Sequence, residues 1–291
     1  MCKNFAVIRP ISQGYSADKK YYVETLKGQK LLLKISDISE YKKKKKQFEI
    51  IKAIDKLNIH MTSPIDFGVN DDDKSVYMLF TWVDGESLHN KLPDLPVADQ
   101  YRLGLNAGVI LRKIHSLPVS ENTGSSYEKY AQKFDYRIKV MQKCGIKTKH
   151  DNKILDYLER NKHLCYGRPN CMRHGDFHTI NLLLTPQNEI GVIDFGDADY
   201  GDPYEEFEKL VWSALTATAF ARGQIDGYFN NEIPDGFFDV AAFYMLGGVF
   251  SSLYWANKFA KDQMKMYKNN IDIILNWFNN LTTTIPSWYC K

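Results

Sequence analysis

Hydrophobic positions in the first eighty residues fall in short runs broken by polar and turn-type residues, as is typical of strands. Three runs rich in β-branched, aromatic and leucine side chains predict strands, namely FAVIRPI, KKYYVETL and QKLLLKIS. The pair Lys27-Gly28 separates the last two, as expected of a hairpin turn. Between Glu40 and Leu57 hydrophobic side chains recur at helical spacing, and SVYMLFTWV then predicts a buried strand. The pattern therefore predicts a small β-rich lobe with one main helix.

The pattern changes after Gly85, where helical spacing dominates. Helices are predicted from Tyr101 to His115, in long stretches of 126–164 and in most of 204–282, with a hairpin within 172–203. The expected fold class is α+β, with a small antiparallel β lobe and a larger, mostly helical lobe. The predicted boundaries are residues 1–81 for the β-rich lobe, 82–85 for a hinge and 86–291 for the helical lobe.

Composition indicates a soluble globular protein. Of the 291 residues, 44% are hydrophobic and 25% are charged, and the net charge is only +3. Nucleic acid binding is not expected, because it requires a concentrated basic surface. The five cysteines are scattered without a C-x-x-C pair, so free thiols in a reducing cytoplasm are expected. The amino-terminal segment MCKNFAVIRPISQG lacks the long apolar stretch of a signal peptide.

One apolar segment, Phe237 to Ala256, has about the length needed to span a membrane. It contains Asp239 together with glycines, serines and tyrosines, and nothing else in the chain supports insertion. We interpret it as a buried helix of the helical lobe and expect no membrane association.

The strongest chemical signal is the segment RHGDFHTINLLLTPQNEIGVIDFGDADYGDP. It places His174, Asp176 and Asn181 close together in the chain, and Asp194 thirteen residues after Asn181. A hairpin between INLLL and GVID returns Asp194 to the side of Asn181. Phosphoryl transfer requires a carboxylate that orients the acceptor hydroxyl and accepts its proton, and oxygen ligands for Mg²⁺. We therefore predict Asp176 as the catalytic base, with Asn181 and Asp194 as magnesium ligands.

Each of these residues has an ordinary structural explanation when taken alone. Asp176 and His174 are residue types that make local hydrogen bonds in loops, and Asp194-Phe195-Gly196 has the composition of a turn. Their order and spacing around one hairpin favour catalysis. His174 is assigned to the catalytic loop, where holding the loop backbone is favoured over proton transfer.

These motifs resemble the aminoglycoside phosphotransferase and choline kinase-like family. HGDFHTIN is similar to that family's catalytic loop, IDFGDADYGDPYEEF to its metal-binding segment, and LRKIHSLP to a helix end of its catalytic lobe. The resemblance covers nearly the whole chain and is most specific from 173 to 207. It implies a two-lobed protein-kinase-like fold and transfer of the γ-phosphate of ATP or GTP.

The resemblance also implies where the phosphates of the nucleotide bind. Lys34, on the third strand, is similar to the lysine that contacts the α- and β-phosphates, and Glu49 to its acidic partner, with Glu40 as the alternative. Gly14 and Ser16 lie in the loop expected to cover the phosphates. This loop has a single glycine, unlike the G-x-G-x-x-G of protein kinases.

The base of the nucleotide is expected at the hinge, again by resemblance. The carbonyl of Thr81 and the N–H of Val83 are its predicted partners, and Phe80 is placed at the back of the pocket. Adenine and guanine differ in their edge donors and acceptors, so ATP and GTP both stay open.

The favoured acceptor is a hydroxyl of an aminoglycoside-like antibiotic, and the physiological role stays open between antibiotic resistance and metabolism. Choline, homoserine and thioribose sugars are the alternatives. A polycation would suit the acidic residues after 203, although these could also form an ordinary solvated face. The acidic residues are Glu205, Glu206, Glu208, Asp226, Glu232, Asp235 and Asp239. Tyr254, Trp255 and Trp277 would suit a quaternary ammonium, although core packing explains them more simply.

Two other functions are weighed. A nucleotide-binding module without turnover would lack the lysine, base or metal ligands that this chain has. A protein kinase is disfavoured because no A-P-E segment follows Asp194-Phe195-Gly196. A monomer is expected.

Overall fold

The computed structural model describes residues 5–12, 14, 17–70, 73–119 and 124–289. The strands are β1 Phe5–Ile11, β2 Lys19–Thr25, β3 Lys30–Asp37, β4 Pro64–Val69, β5 Ser75–Thr81, β6 Glu86–Ser87, β7 Cys171–Arg173, β8 Leu182–Leu184, β9 Ile190–Val192 and β10 Asp199–Gly201. The helices are α1 Tyr41–Asp55, α2 Leu88–Lys91, α3 Val97–His115, α4 Ser126–Lys143, α5 Asp151–Asn161, α6 Leu210–Thr216, α7 Thr218–Phe229, α8 Phe237–Phe259 and α9 Met264–Trp277. Two compact units result, one of Met1–Asn90 with Ile180–Ala198 and one of Lys91–Thr179 with Asp199–Lys291. The predicted lobe boundaries stay a prediction.

The first unit is built on a five-stranded antiparallel sheet in the order β1-β2-β3-β5-β4. The helix α1 packs on this sheet through Phe48, whose ring lies 5.5 Å from Phe67 and 6.0 Å from Phe80 between centroids. A second group of buried side chains consists of Val23 on β2 and of Leu31 and Leu33 on β3, which pack together across the two paired strands. The predicted strands and main helix of this region are confirmed.

A short three-stranded sheet completes the first unit, in the order β6-β8-β9. The β8–β9 hairpin pairs Leu182 with Val192 and Leu184 with Ile190, and its turn contains Asn188 at a positive φ of 58°. The N–H of Thr62 donates to the carbonyl of Val192 at 3.0 Å, which ties the hairpin to the segment before β4. The hairpin predicted between INLLL and GVID is therefore present.

The described part of the second unit is mostly helical and contains the two-stranded β7–β10 sheet. Within it α3 and α7 lie so close that their glycines face each other's backbone, as with Gly108 beside Gln224. The helix α8 is long and apolar enough to cross a membrane by length and composition, yet 72% of its apolar window is buried inside the protein. The segment predicted as a buried helix is thus a core helix of this unit.

Candidate active site

Lys34 and Asp194 form the centre of a polar site in the first unit. The Lys34 ammonium lies 3.2 Å from Asp194 Oδ1, and 6.0 Å from the centre of the Phe80 ring. The lysine is buried on β3, whereas the Asp194 side chain is 43% exposed. An open pocket of about 220 Å³ surrounds the pair, lined by Leu32, Lys34, Ile51, Thr62, Phe80, Asp194 and Phe195. The structure thus brings together the predicted phosphate-binding lysine, one predicted metal ligand and the predicted back wall of the base pocket.

Asn181 and Asp194 are neighbours because the hairpin ends there. The N–H of Ile193 donates to the carbonyl of Asn181 at 3.0 Å, which sets Asp194 one residue past the last bond of the ladder. Asp194 then adopts the left-handed backbone conformation, with φ 61° and ψ 63°, before the 3-10 helix Phe195–Asp197. Such a backbone is uncommon outside glycine and concentrates at functional sites, where the surroundings enforce it.

Lys34 and Asp194 belong to a charged cluster of three lysines and two aspartates, completed by Lys20, Lys44 and Asp18. Lys44 of α1 binds Asp18 Oδ2 at 2.5 Å, and the Ser36 hydroxyl donates to Asp18 Oδ1 at 2.7 Å. Burial opposes ionisation of Asp18, but these partners hold its pKa below the ordinary value. Lys20 faces Lys34 across the β2–β3 ladder, and its burial lowers its pKa while the charge of Asp194 acts in the opposite direction. Sequence reasoning missed Lys20 and the Asp18–Lys44 pair, because no motif marks them.

The structure corrects the prediction that Glu49 orients Lys34. Among the described residues neither Glu49 nor Glu40 pairs with Lys34, and Glu40 instead binds Lys43 at 3.0 Å. The reason is helical phase: Phe48 is buried against the sheet, and successive helical residues are turned by about 100°, so Glu49 is exposed. Gln47 extends towards the site instead, and its amide donates to the carbonyl of Phe195 at 3.2 Å.

The other predicted nucleotide contacts are only partly described. Gly14 has a positive φ of 92°, and the predicted loop residue Ser16 lies outside the described residues. Thr81 uses its own N–H to bind the Ser63 carbonyl at 2.9 Å, and its hydroxyl accepts from the Ser63 N–H at 2.9 Å. Val83 is buried. The predicted base contacts, the Thr81 carbonyl and the Val83 N–H, stay predictions.

Asp176 lies in the second unit, at the centre of a small charged group. Its Oδ1 is 3.2 Å from the Lys209 ammonium and 3.3 Å from His178 Nε2. Burial alone would raise the pKa of Asp176, but the charge of Lys209 and the hydrogen bond from His178 hold it well below the ordinary value. Asp176 is therefore a carboxylate at any physiological pH. Lys209 carries no motif that would have revealed it in the sequence.

The loop that presents Asp176 is held by two buried side chains. His174 is fully buried, and its Nδ1 accepts the N–H of Asp176 at 3.2 Å, which is the backbone-holding role predicted for it. Glu206 accepts the N–H of Gly175 at 3.0 Å and that of Phe177 at 3.2 Å. Both residues flanking Asp176 are therefore fixed by one carboxylate.

Glu206 is ionised although it is buried. Burial opposes the charge, whereas His115, His174 and Arg173 around it favour the charge and lower its pKa to about 2. Of the seven acidic residues weighed as a substrate-binding surface, Glu205 and Asp226 are likewise engaged inside the unit, whereas Glu232 and Asp235 are exposed. Glu205 binds Arg173 at 2.7 Å, and Asp226 accepts from Tyr101 at 2.8 Å and from Tyr289 at 2.6 Å. Glu205, Glu206 and Asp226 thus act within the fold.

Asp202 caps the short helix that supports the catalytic loop. Its side chain accepts the N–H of Tyr204 at 2.9 Å at the start of the 3-10 helix Pro203–Lys209. It is fully buried and also accepts from Arg168 and Tyr244. This short helix carries both Glu206 and Lys209, so the cap fixes the element that supports Asp176.

A second, partly open pocket lies wholly within the helical unit. It is lined by Glu208, Val211, Trp212, Leu215, Gly248, Val249, Ser252, Tyr267, Asn270, Ile271 and Ile274. The rings of Trp212 and Tyr267 meet edge to face at 5.3 Å. Glu208 is the single carboxylate of this lining, and it precedes Lys209, the residue that binds Asp176.

The two halves of the predicted catalytic set are distributed between the units. Asn181, Asp194 and Lys34 belong to the first, and Asp176 and His174 to the second. The convergence of Asp176, Asn181 and Asp194 on one metal and one phosphate stays a prediction.

Fold and sequence motifs together define the class of protein as a kinase-like phosphotransferase. The family model described as "APH: Phosphotransferase enzyme family" matches residues 7–240, which is most of the chain. The chain belongs to this family, and it is a phosphotransferase. No curated protein matches it in sequence.

Solved structures share the fold at low sequence identity. The apo form of a thermostable mutant of aminoglycoside phosphotransferase APH(4)-Ia has a TM-score of 0.68 at 16% identity and covers 94% of both chains. The gentamicin complex of APH(2")-IIa has a TM-score of 0.65 at 16% identity, covering 99% of this chain and 94% of the other. Amicoumacin kinase hAmiN, in complex with AMP-PNP, Ca²⁺ and Ami, has a TM-score of 0.64 at 15% identity, covering 96% and 90%. The predicted protein-kinase-like α+β fold is confirmed.

Proposed function

We propose that this phosphotransferase moves the γ-phosphate of ATP or GTP to a hydroxyl group of a small molecule in the cytoplasm. The observation that carries the proposal is the Lys34–Asp194 pair in its pocket, 3.2 Å apart, with Asn181 beside it at the end of the hairpin. The Lys34 ammonium suits the phosphates of a nucleotide, and the side-chain oxygen atoms of Asp194 and Asn181 suit a metal ion. Similar folds solved with AMP-PNP or ADP support a nucleotide as donor.

The residues at the hairpin end fit Mg²⁺. A half-exposed carboxylate and an amide oxygen are hard oxygen donors, which this ion prefers over nitrogen or sulfur. Asp194 and Asn181 would hold it, and Mg²⁺ bound there would neutralise charge on the phosphates. The left-handed backbone at Asp194 fixes the direction in which its carboxylate leaves the chain.

Asp176 orients the acceptor hydroxyl and accepts its proton. With its pKa held down by Lys209 and His178, it is a weak base, so proton transfer comes late. Late proton transfer is compatible with phosphoryl transfer, because the transition state is loose and positioning of the acceptor contributes more than its deprotonation. Glu206 and His174 supply the positioning by fixing the loop on both sides of the carboxylate.

The pocket of the helical unit is the proposed acceptor site. One of its lining residues, Glu208, directly precedes in the chain the Lys209 that binds Asp176, and the rest of the lining is mainly aliphatic and aromatic. Such a lining favours an acceptor with an apolar or aromatic face and a single positive charge over a strongly polycationic one. Proteins of similar fold have been solved in complex with gentamicin, and with ADP and hygromycin B, which supports a small-molecule acceptor.

The test is a nucleotide-consumption screen with Mg²⁺, run with ATP and with GTP. The acceptors are aminoglycosides, other hydroxylated antibiotics with one amine, choline, homoserine and thioribose sugars. We expect acceptor-dependent turnover that Lys34→Met reduces by about a hundredfold or more. Exposed Lys52→Met, on α1, is the matched control and keeps full activity. Nucleotide binding without turnover for any acceptor would instead support a regulatory module.

A further inference from the structure

Lys20 and Lys34 face each other directly across the β2–β3 ladder. Residues opposite each other in an antiparallel pair lie on the same side of the sheet, about 5 Å apart at Cβ. Two like charges in that arrangement are destabilising unless an anion compensates them. The pair lies on the side of the sheet where Lys34 meets Asp194, so the anion would be bound in the pocket already described.

The nearby carboxylates are already engaged by other groups. Asp18 binds Lys44 through one oxygen and Ser36 through the other, at 2.5 and 2.7 Å. Asp194 Oδ1 binds Lys34 at 3.2 Å. Three lysines thus share two aspartates, and the cluster keeps an excess of positive charge.

The amine of Lys20 lies against the glycine of the loop between β1 and β2. A Cβ atom built on Gly14 would be only 2.6 Å from Lys20 Nζ, and Gly14 has a φ of 92° that disfavours side chains. The amine therefore occupies the space between the Gly14 backbone and the sheet. The resemblance of the sequence to the phosphotransferase family implies that this loop covers the phosphates of the nucleotide.

We propose that Lys20 is a second phosphate-binding cation, which contacts the phosphate chain of the nucleoside triphosphate alongside Lys34. This inference rests on the proposed function, because it assigns the ligand of that same pocket. The phosphate chain supplies the negative charge that the cluster lacks. Charge-assisted contacts of this kind are stronger than neutral hydrogen bonds.

The experiment compares Lys20→Gln with the unsubstituted chain by calorimetric titration of nucleoside, monophosphate, diphosphate and triphosphate, without acceptor. We expect the affinity for the triphosphate to fall by about tenfold or more, and that for the nucleoside to stay within about twofold. Lys20→Arg should recover part of the loss. Lys19→Gln is the matched control, because Lys19 is exposed and lies on the other side of the sheet, opposite Ile35.

Thermal stability without nucleotide separates the proposed role from a structural one. Removing one of two facing like charges should leave Tm unchanged or raise it. A drop in Tm together with equal loss of affinity for nucleoside and triphosphate would overturn the assignment, as would unchanged triphosphate affinity. If the unsubstituted chain bound no triphosphate at all, the proposed function itself would fail, which is a different result.

Discussion

The carboxylate of Asp176 owes its properties to residues that are distant in the chain. Lys209 lies thirty-three positions further on and approaches Oδ1 to 3.2 Å, while His178 approaches the same oxygen to 3.3 Å. A cation at this distance stabilises the ionised form and lowers the pKa. The charge that makes Asp176 reliably ionised also makes it a weaker base.

Replacing Lys209 by Met should therefore raise the pKa of Asp176. The acidic limb of the pH profile of kcat should shift to higher pH, because the carboxylate then becomes protonated under milder conditions. Lys139→Met, at an exposed position of α4, is the control and should leave the profile in place. An unshifted limb in Lys209→Met would show that Lys209 does not control the ionisation of Asp176.

At the scale of elements, the strands and the β8–β9 hairpin were predictable because their signals are local. Turn residues and alternating patterns mark β2, β3 and the hairpin, so the juxtaposition of Asn181 and Asp194 follows from the chain itself. The phase of α1 was not predictable with the same certainty. The phase depends on which side chain of the helix packs against the sheet. Because Phe48 packs there, Glu49 is exposed and Gln47 is turned towards Phe195.

The contact between α3 and α7 depends on glycines that no sequence pattern identified in advance. A Cβ on Gly108 would lie 2.3 Å from the carbonyl oxygen of Gln224 and 2.4 Å from the nitrogen of Tyr228. Both are backbone atoms, which cannot rotate away. The two helices must therefore separate if a side chain is added.

Gly108→Ala should destabilise the protein by roughly 3 kcal/mol, because overpacking exceeds the gain of about 1 kcal/mol in helix propensity. Urea unfolding measures the change. Asn106→Ala is the control on the same helix, where the side chain is exposed and the substitution should be neutral or slightly stabilising. Equal unfolding midpoints for the two variants would contradict the close contact.

At the scale of the whole molecule, the fold class and the motif residues from 173 to 207 were recognisable from the sequence. The side chains that surround these motif residues in space could not be recognised from the sequence. Glu206 was weighed as part of an acidic surface, yet it is buried and fixes the backbone of Gly175 and Phe177. Buried networks of this kind join residues from different elements, so spacing along the chain carries no signal for them.

The ionised Glu206 predicts how the stability of the molecule depends on pH. Its pKa of about 2 lies below the ordinary value of 4.5, so on acidification the unfolded chain binds a proton before the folded one. Its contribution is complete above pH 4.5 and is lost as the pH falls towards 2. The free energy of unfolding should therefore decrease steeply below about pH 5.

Glu206→Gln isolates this contribution. At pH 7 the variant should be less stable by about 2 kcal/mol, since the charged hydrogen bonds to the loop are weakened. At pH 3 the difference in the free energy of unfolding should be smaller, because most of the stabilisation by the ionised Glu206 carboxylate is lost at that pH. Urea denaturation at both pH values measures it, with exposed Glu232→Gln as control. A constant difference at both pH values would show that ionisation of Glu206 is not the cause.

In the proposed reaction, Asp176 positions and deprotonates the acceptor for phosphoryl transfer from a nucleoside triphosphate. The most direct test is kcat of Asp176→Asn with an acceptor found in the screen, together with the Kd of the nucleotide. We predict that kcat falls by about a thousandfold while Kd stays within about twofold, and that exposed Asp135→Asn changes neither. Turnover by Asp176→Asn at a rate near that of the unsubstituted enzyme would show that Asp176 is not the catalytic base.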